Sequence, residues 1–243
     1  MQDVEPSILY GKHTIGTCAF MAGLPSLQTQ SAWSFAQMVQ YNAEYLPTNE
    51  IIHYMKPSMS GIAEARNHVA DHILGDWLFM LDADHWFDPR ILARLLRLMK
   101  KHDVPIISGL YQFRESPYPA VMFADTGNPQ IPFRLLDFDI KQFPKERELI
   151  KIGSCGGGCL LIKKEVFVRI KEELGEKPFT VAPPYTSSED HSFFLRCKKL
   201  NIPVHVAPWV ECHHIHTIKL KIEDYDNIDI NHIPKQEVDI ESL

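Results

Sequence analysis

The sequence lacks several features that would assign it to a class at once. Its formal net charge is −6, and no basic stripe runs along it, which excludes broad binding to a nucleic-acid backbone. It has no apolar run of about 18 residues, so no membrane span is expected, and its first residues lack the basic and apolar regions of a secretory signal. Cysteine is scarce and odd in number, with five residues in all. These thiols are expected to be free and mostly buried in a cytoplasmic protein.

The first half of the chain alternates between strand and helix patterns. Apolar runs predict strands at residues 14–20, 51–55, 77–81 and 104–111. Helical spacing predicts helices at residues 31–45, at 62–74 and after Asp88-Pro89, where Asp88 is expected to be the N-cap. This order predicts an α/β domain in which helices flank a mainly parallel central sheet.

The second half has a different character. Two strand pieces are expected within residues 149–163, helices at 165–174 and 189–200, and a short strand at 204–206. Residues 112–150 give no clear assignment. One domain is predicted over residues 1–218, and the acidic residues 219–243 are expected to be extended or partly disordered.

The motif Asp82-Ala83-Asp84 follows the apolar run Trp77–Leu81. In an extended chain, residues i and i+2 point to the same side, so both carboxylates would face one spot. Two anions on one spot favour a hard divalent cation such as Mg²⁺ or Mn²⁺, which is usually shared with a substrate phosphate. Because parallel sheets bind ligands at the carboxyl ends of their strands, the motif marks a candidate site. The alternative is a pair of loop acids.

Four other patterns contain candidate functional groups. Arg66 falls on the apolar face of its predicted helix and needs an anion there, which is either a carboxylate of the protein or a phosphate. Glu189 and Asp190 follow Ser187-Ser188 and are either ordinary first-turn acids or inward-facing general-base candidates. The stretch Cys212–His216 alternates sides in a strand, which argues against a structural zinc site and favours one histidine that completes the aspartate site. Gly153–Gly158 forms either a plain hairpin or a substrate-facing wall.

Together these segments resemble the GT-A glycosyltransferases, especially family 2-like members. GIAEARNHVADHILGDWLFMLDADHWFDPRIL is similar to the segment in which an "ARN" helix precedes the DxD strand. GSCGGGCLLIKKEVF resembles the family's glycine-rich acceptor-side hairpin, and SSEDHSFFLRCKKLNIPVHVAPWVECHHI its "ED" helix with the following histidine-bearing strand. The resemblance covers residues 13–216 and implies a single GT-A (Rossmann-like) domain with a smaller acceptor-side β element.

The resemblance also implies a nucleoside-diphosphate sugar donor and a carbohydrate or other hydroxyl acceptor. Asp82 and Asp84 would bind Mn²⁺ or Mg²⁺ with His214 as the third ligand and His213 in reserve. The family pattern has small residues where this chain has His213 and His216.

Asp190 corresponds to the base of inverting members, and Glu189 would orient the acceptor. Thr17, Arg66 and Ala83 would lie near the nucleotide.

Three other functions compete with sugar transfer. A nucleotidyltransferase shares a similar sheet, but the basic glycine-rich loop expected after its first strand is replaced here by MAGLPSLQTQ. An aspartyl-nucleophile phosphohydrolase would place its motif after the first strand. A non-catalytic nucleotide-sugar-binding domain would not require Asp82, Asp84, Asp190 and His214 together.

Overall fold

The structure is a computed structural model, and it describes most but not all of the chain. The described residues are 15–21, 29–46, 51–57, 61–73, 75–138, 148–181 and 188–215, with the backbone alone described for 15–21 and 51–57. His216 and the predicted extension 219–243 lie outside these ranges. No helix in the described part of the chain combines the length and the hydropathy that crossing a membrane requires.

Eleven strands and five helices are found within these residues. The strands are β1 (Ile15–Met21), β2 (Ile51–Pro57), β3 (Trp77–Asp82), β4 (His85–Phe87), β5 (Ile106–Leu110), β6 (Met122–Asp125), β7 (Phe133–Leu135), β8 (Ile150–Ile152), β9 (Ser154–Cys155), β10 (Cys159–Lys163) and β11 (Val204–His214). The helices are α1 (Thr29–Tyr45), α2 (Ile62–Asp71), α3 (Ile91–His102), α4 (Lys164–Leu174) and α5 (Glu189–Lys199).

The large sheet has the strand order β2-β1-β3-β10-β5-β11-β4, with β8 also paired to β11. Strands β2, β1 and β3 are parallel, as are β5 and β11. Strand β10 inserts between β3 and β5 and is antiparallel to both. The sheet is therefore mixed: the predicted parallel character holds for β2, β1 and β3 and for β5 with β11, whereas β10, β4 and β8 pair antiparallel with their neighbours.

A smaller antiparallel sheet has the order β7-β6-β9; β6 and β7 come from the region that the sequence left unassigned, and β9 from the segment in which two strand pieces were expected. The glycine-rich segment after β9 leads into β10 and so joins the two sheets. This small sheet corresponds to the smaller β element that was predicted beside the main sheet.

Helices cover the main sheet, and their apolar faces carry the helical spacing seen in the sequence. In α3 the buried residues are Ile91, Leu92, Ala93, Leu95, Leu96, Leu98 and Met99. In α2 the buried stripe includes Arg66 among apolar residues, as predicted. The predicted N-cap at Asp88 is wrong, because α3 begins at Ile91, and Asp88 Oδ1 instead accepts the Arg90 backbone N–H at 2.8 Å.

Strand β11 is longer than the predicted strand at 204–206, because its course changes in the middle. Its first half pairs with β5, the register shifts between Ala207 and Glu211, and its last residues pair with β4. Pro208 lies within this bulge, where a residue without an N–H is tolerated. The antiparallel pair of β4 and the end of β11, residues 212–214, is called the ribbon below.

The predicted free thiols are confirmed for the cysteines whose side chains are described. Cys155, Cys159, Cys197 and Cys212 are buried and form no disulfide. The side chain of Cys18 is outside the described part of the structure.

Candidate active site

Arg66 is the centre of a buried ion-pair network. Its side chain is 1% exposed, and it donates to Glu189 Oε1 at 2.6 Å and to Asp82 Oδ1 at 3.2 Å. Burial acts to lower the pKa of Arg66, but Asp82, Glu189 and Asp190 outweigh it and the pKa is raised. The anions that Arg66 required are therefore carboxylates from the end of β3 and the start of α5.

The glycine-rich segment packs directly on these charged groups. A Cβ on Gly157 would lie 2.4 Å from the Arg66 Nη1 atom, and a Cβ on Gly158 would lie 3.0 Å from both Asp82 Oδ2 and His85 Nε2. The Gly158 carbonyl accepts the Asp82 backbone N–H at 3.0 Å. A side chain at either position would collide with the charged groups, so both glycines let the backbone pass close to the site. The segment is thus both a link between strands and a wall of the site.

Asp84 and His85 follow β3 in a tight change of direction. Residues 83 and 84 form a turn, so the two acids of the motif do not share one face of an extended strand. Asp82 contacts Arg66, whereas Asp84 is buried, lies 3.2 Å from His85 Nδ1 and forms an ion pair with Arg114.

The register of the ribbon brings His85 and His214 together. His85 is directly opposite His214, and Trp86 is opposite His213. Because side chains alternate along a strand, the two pairs occupy opposite faces. The His85 and His214 rings lie 4.2 Å apart on the inner face, while the rings of Trp86 and His213 lie 5.4 Å apart, tilted by 32°, on the exposed outer face.

The inner histidines are held in the neutral form that ligates metals. Burial lowers the pKa of His85 to about 4, and burial with the neighbouring His85 lowers that of His214 to about 4. His214 Nδ1 contacts the Gln112 carbonyl at 2.6 Å, which accounts for a donating Nδ1–H and leaves Nε2 as the ligand atom. Within the described chain, neither ring nitrogen of the buried His85 makes a hydrogen bond of good geometry.

A candidate metal cluster follows from this packing. Asp84, His85 and His214 each offer a ligand atom, and these atoms lie within 4.8 Å of one another. Two of the three residues were expected from the sequence. His85 was missed, although its place directly after the motif was the available signal, and Asp82 lies outside the group.

The first turn of α5 places its two acids differently. Ser188 is the N-cap of α5 and accepts the His191 N–H at 3.2 Å. Asp190 Oδ1 accepts the same N–H at 2.8 Å and also contacts the Ser188 hydroxyl. Burial raises the pKa of Glu189, and Arg66 opposes this shift. Glu189 therefore belongs to the Arg66 network, whereas the side chain of Asp190 caps the first turn of α5.

Thr17, expected near the nucleotide, lies within β1, where it is paired with Phe79 of β3 and His53 of β2. Ala83 is buried in the turn between Asp82 and Asp84. Tyr111 and Arg114 were not singled out from the sequence. The Tyr111 hydroxyl accepts the Gly158 N–H at 3.1 Å, and Arg114 reaches Asp84 from the loop after β5.

A cleft of about 310 Å³ opens beside the cluster and is called the inner cleft. Its lining includes Tyr111, Arg114, Glu211, His213 and His214. The cleft thus combines an aromatic hydroxyl, a guanidinium and a candidate metal ligand at the edge of the sheet.

Comparison with known families shows to which protein family the chain belongs. The model of "Glycosyl transferase family 2" matches residues 36–170, more than half of the chain. The chain belongs to glycosyl transferase family 2. The match covers α2, the Asp82-Ala83-Asp84 motif and the glycine-rich segment, and it ends before α5 and β11. Family membership supports a glycosyltransferase function.

Two solved structures are similar in fold to this family 2 chain. A197 from STIV has 17% sequence identity and a TM-score of 0.53, over 84% of this chain and 86% of A197. GalNAc-T7, solved with UDP, GalNAc and Mn²⁺, has 14% identity and a TM-score of 0.53 over 85% of this chain. This chain spans 44% of the length of that GalNAc-T7 chain. Together with the family match, these structures confirm the predicted GT-A fold, and no curated protein matched the sequence.

Proposed function

We propose that this chain is a metal-dependent glycosyltransferase of the hexosyltransferase type, which transfers a sugar from a nucleoside-diphosphate sugar to an acceptor hydroxyl. The observation that carries the proposal is the Asp84, His85 and His214 cluster at the sheet edge. Asp84 and His214 would hold the cation, and His85 would join them in the place expected for Asp82. Asp82 borders this group and belongs to the Arg66 network.

The chemistry of the ligands favours Mn²⁺ over Mg²⁺. Mg²⁺ prefers oxygen ligands in a strict octahedron, whereas Mn²⁺ shares its preference for carboxylate but, as a first-row transition metal, also accepts imidazole. One carboxylate and two neutral imidazoles therefore fit Mn²⁺ better. When bound, this ion would act as a Lewis acid that stabilises the departing diphosphate. Mn²⁺ is also the ion present in the GalNAc-T7 structure.

The protein's own groups would carry the rest of the reaction. Arg114, which is half exposed beside Asp84, adds a positive charge where a diphosphate would leave. Asp190 takes the proton of the acceptor hydroxyl through its second oxygen, Oδ2, while the acceptor oxygen attacks the anomeric carbon and the bond to the diphosphate breaks. Attack from the opposite face inverts the anomeric centre. Glu189, fixed by Arg66, orients the acceptor, and Thr17 and Ala83 lie near the nucleotide.

A direct test screens uridine, guanosine and cytidine diphosphate sugars for thermal stabilisation of the protein with and without Mn²⁺. We expect one of them to raise the melting temperature only with Mn²⁺ and then to be slowly hydrolysed. If none of them shifts the melting temperature, the donor class is wrong. The cytoplasmic location expected from the free thiols remains a prediction.

The two histidines of the ribbon provide a matched pair of variants. His214→Ala should weaken Mn²⁺ binding in the presence of the matching nucleoside diphosphate by at least about 100-fold, since even an outer partner of a metal ligand is worth roughly 10–100-fold. His213→Ala, on the outer face, should leave Mn²⁺ affinity unchanged. Electron paramagnetic resonance of free Mn²⁺ measures both, and the reverse order would make His213 the ligand.

Asp190→Asn tests the base. Transfer to an acceptor should fall by about 10²–10⁴-fold, the usual contribution of a positioned general base. Glu165→Gln, an exposed first-turn acid of α4, is the control and should transfer at the wild-type rate. Nuclear magnetic resonance of the first product should show an inverted anomeric centre. Retention of configuration, or a loss below tenfold, would remove Asp190 from this role.

A further inference from the structure

A second cleft, called the outer cleft, lies on the other face of the ribbon. It has a volume of about 480 Å³, within the roughly 300–1,000 Å³ of small-molecule sites. Its lining includes Trp86, Trp209, Gln37, Arg94, Glu211 and His213. Trp86 is 52% exposed, so part of its indole is accessible to a ligand in this cleft. None of the reaction steps proposed above uses this surface.

The lining chemistry matches a neutral polyol better than an ion. Indole faces pack against the C–H faces of sugar rings, while an amide, a carboxylate and a guanidinium offer planar donors and acceptors to neighbouring hydroxyls. The charges of the outer cleft occur in contacting pairs, Arg94 with Asp88 at 3.5 Å and Glu211 with His213 at 3.5 Å. Because Arg94 already contacts a carboxylate and Glu211 is itself an anion, the surface presents no excess of positive charge to attract a phosphate.

The outer cleft adjoins the inner cleft. Glu211 and His213 line both of them. Trp86 and His213 follow and precede the metal-cluster residues His85 and His214 along their strands, so the two surfaces are the two faces of one ribbon. A ligand that begins at the inner cleft can therefore extend past Glu211 and His213 onto the indole of Trp86.

We propose that the outer cleft binds a neutral saccharide, the extended part of an oligosaccharide acceptor whose terminal hydroxyl reaches the inner cleft. This inference rests on the proposed glycosyltransferase function and narrows the acceptor to a carbohydrate of more than one unit. Trp86 is the stacking platform, and Gln37, Arg94 and Glu211 supply hydrogen bonds.

The test titrates the full chain, without donor or metal, with neutral oligosaccharides containing glucose, galactose, mannose or N-acetylglucosamine, and follows binding by ligand-observed nuclear magnetic resonance. At least one oligosaccharide should bind saturably and more tightly than its monosaccharide. Trp86→Ala should weaken this binding by about tenfold, as expected for loss of a stacked aromatic ring, and Trp86→Phe should restore part of it. Trp33→Ala removes a 63% exposed indole of α1 outside the cleft lining and should bind like wild type.

A second variant is needed because Trp86 is adjacent to His85, and its substitution could disturb the fold around the candidate metal cluster. Gln37→Ala changes a helix residue and should also weaken saccharide binding. Equal affinity of Trp86→Ala and wild type overturns the proposal, as does the absence of binding to every oligosaccharide. If Trp86→Ala changes only the oligomeric state in light scattering, the outer cleft is a contact between copies of the chain.

Failure of this inference is distinguishable from failure of the proposed function. Mn²⁺-dependent donor hydrolysis with no saccharide binding would contradict the role of the outer cleft and would still support the glycosyltransferase function. Saccharide binding with no nucleotide-sugar turnover would make this chain a carbohydrate-binding member of its family.

Discussion

Asp84→Ala will abolish nucleotide-sugar turnover, with an expected loss of at least about 10³-fold. A bound cation contributes several kcal/mol to charge stabilisation in the transition state, and each 1.36 kcal/mol is about a factor of ten in rate. Asp84 is the carboxylate of the metal cluster and is 4% exposed, so no solvent-held group can replace it. Steady-state release of the nucleoside diphosphate with Mn²⁺ measures the effect.

Asp76→Ala is the matched control, because it removes an exposed carboxylate immediately before β3, at the other end of that strand. It should retain the wild-type rate. If Asp84→Ala turns over the donor as fast as Asp76→Ala does, the metal cluster has been assigned to the wrong residues.

Arg66→Met will cost about 3 kcal/mol of unfolding free energy. Removing one partner of a buried ion pair leaves an uncompensated charge, which typically costs about 3–5 kcal/mol. Here Glu189 would lose a partner at 2.6 Å and Asp82 one at 3.2 Å. Because Asp82 is partly exposed and recovers some hydration, the lower end of that range applies. Chemical denaturation followed by circular dichroism measures the change.

Arg66→Lys should recover only part of that stability, since an ammonium cannot present two fixed donors to two separate carboxylates. Arg97→Met removes an exposed arginine from the solvent face of α3 and should unfold at the same denaturant concentration as wild type. A stable Arg66→Met protein would mean that Asp82 and Glu189 do not depend on this network.

The sequence predicted the β-α alternation up to Tyr111 because each element there has its own hydrophobic period. The α2 pattern also identified Arg66 as a core-facing cation, and the structure supplies its carboxylate partners. Strand β11 was shortened in the prediction because Pro208 interrupts the strand pattern. Its full extent depends on pairing with β4, which no local pattern reveals.

The members of the candidate metal cluster were only partly predictable for the same reason. Placing Asp82 and Asp84 on one face assumed an extended chain, and residues 83 and 84 instead form a turn. That turn directs Asp82 toward Arg66 and brings His85 opposite His214. The choice between His213 and His214 required the ribbon register, which is a long-range property of the fold.

The bulge in β11 makes segment length a determinant of function. It shifts the register between Ala207 and Glu211, so the number of residues there decides which side chains of the following segment face inward. One residue more or fewer would exchange the two faces of β11, turning His214 outward and His213 inward. The number of residues between Ala207 and Glu211 is therefore as constrained as their identity, because a length change there would take His214 out of the candidate metal cluster.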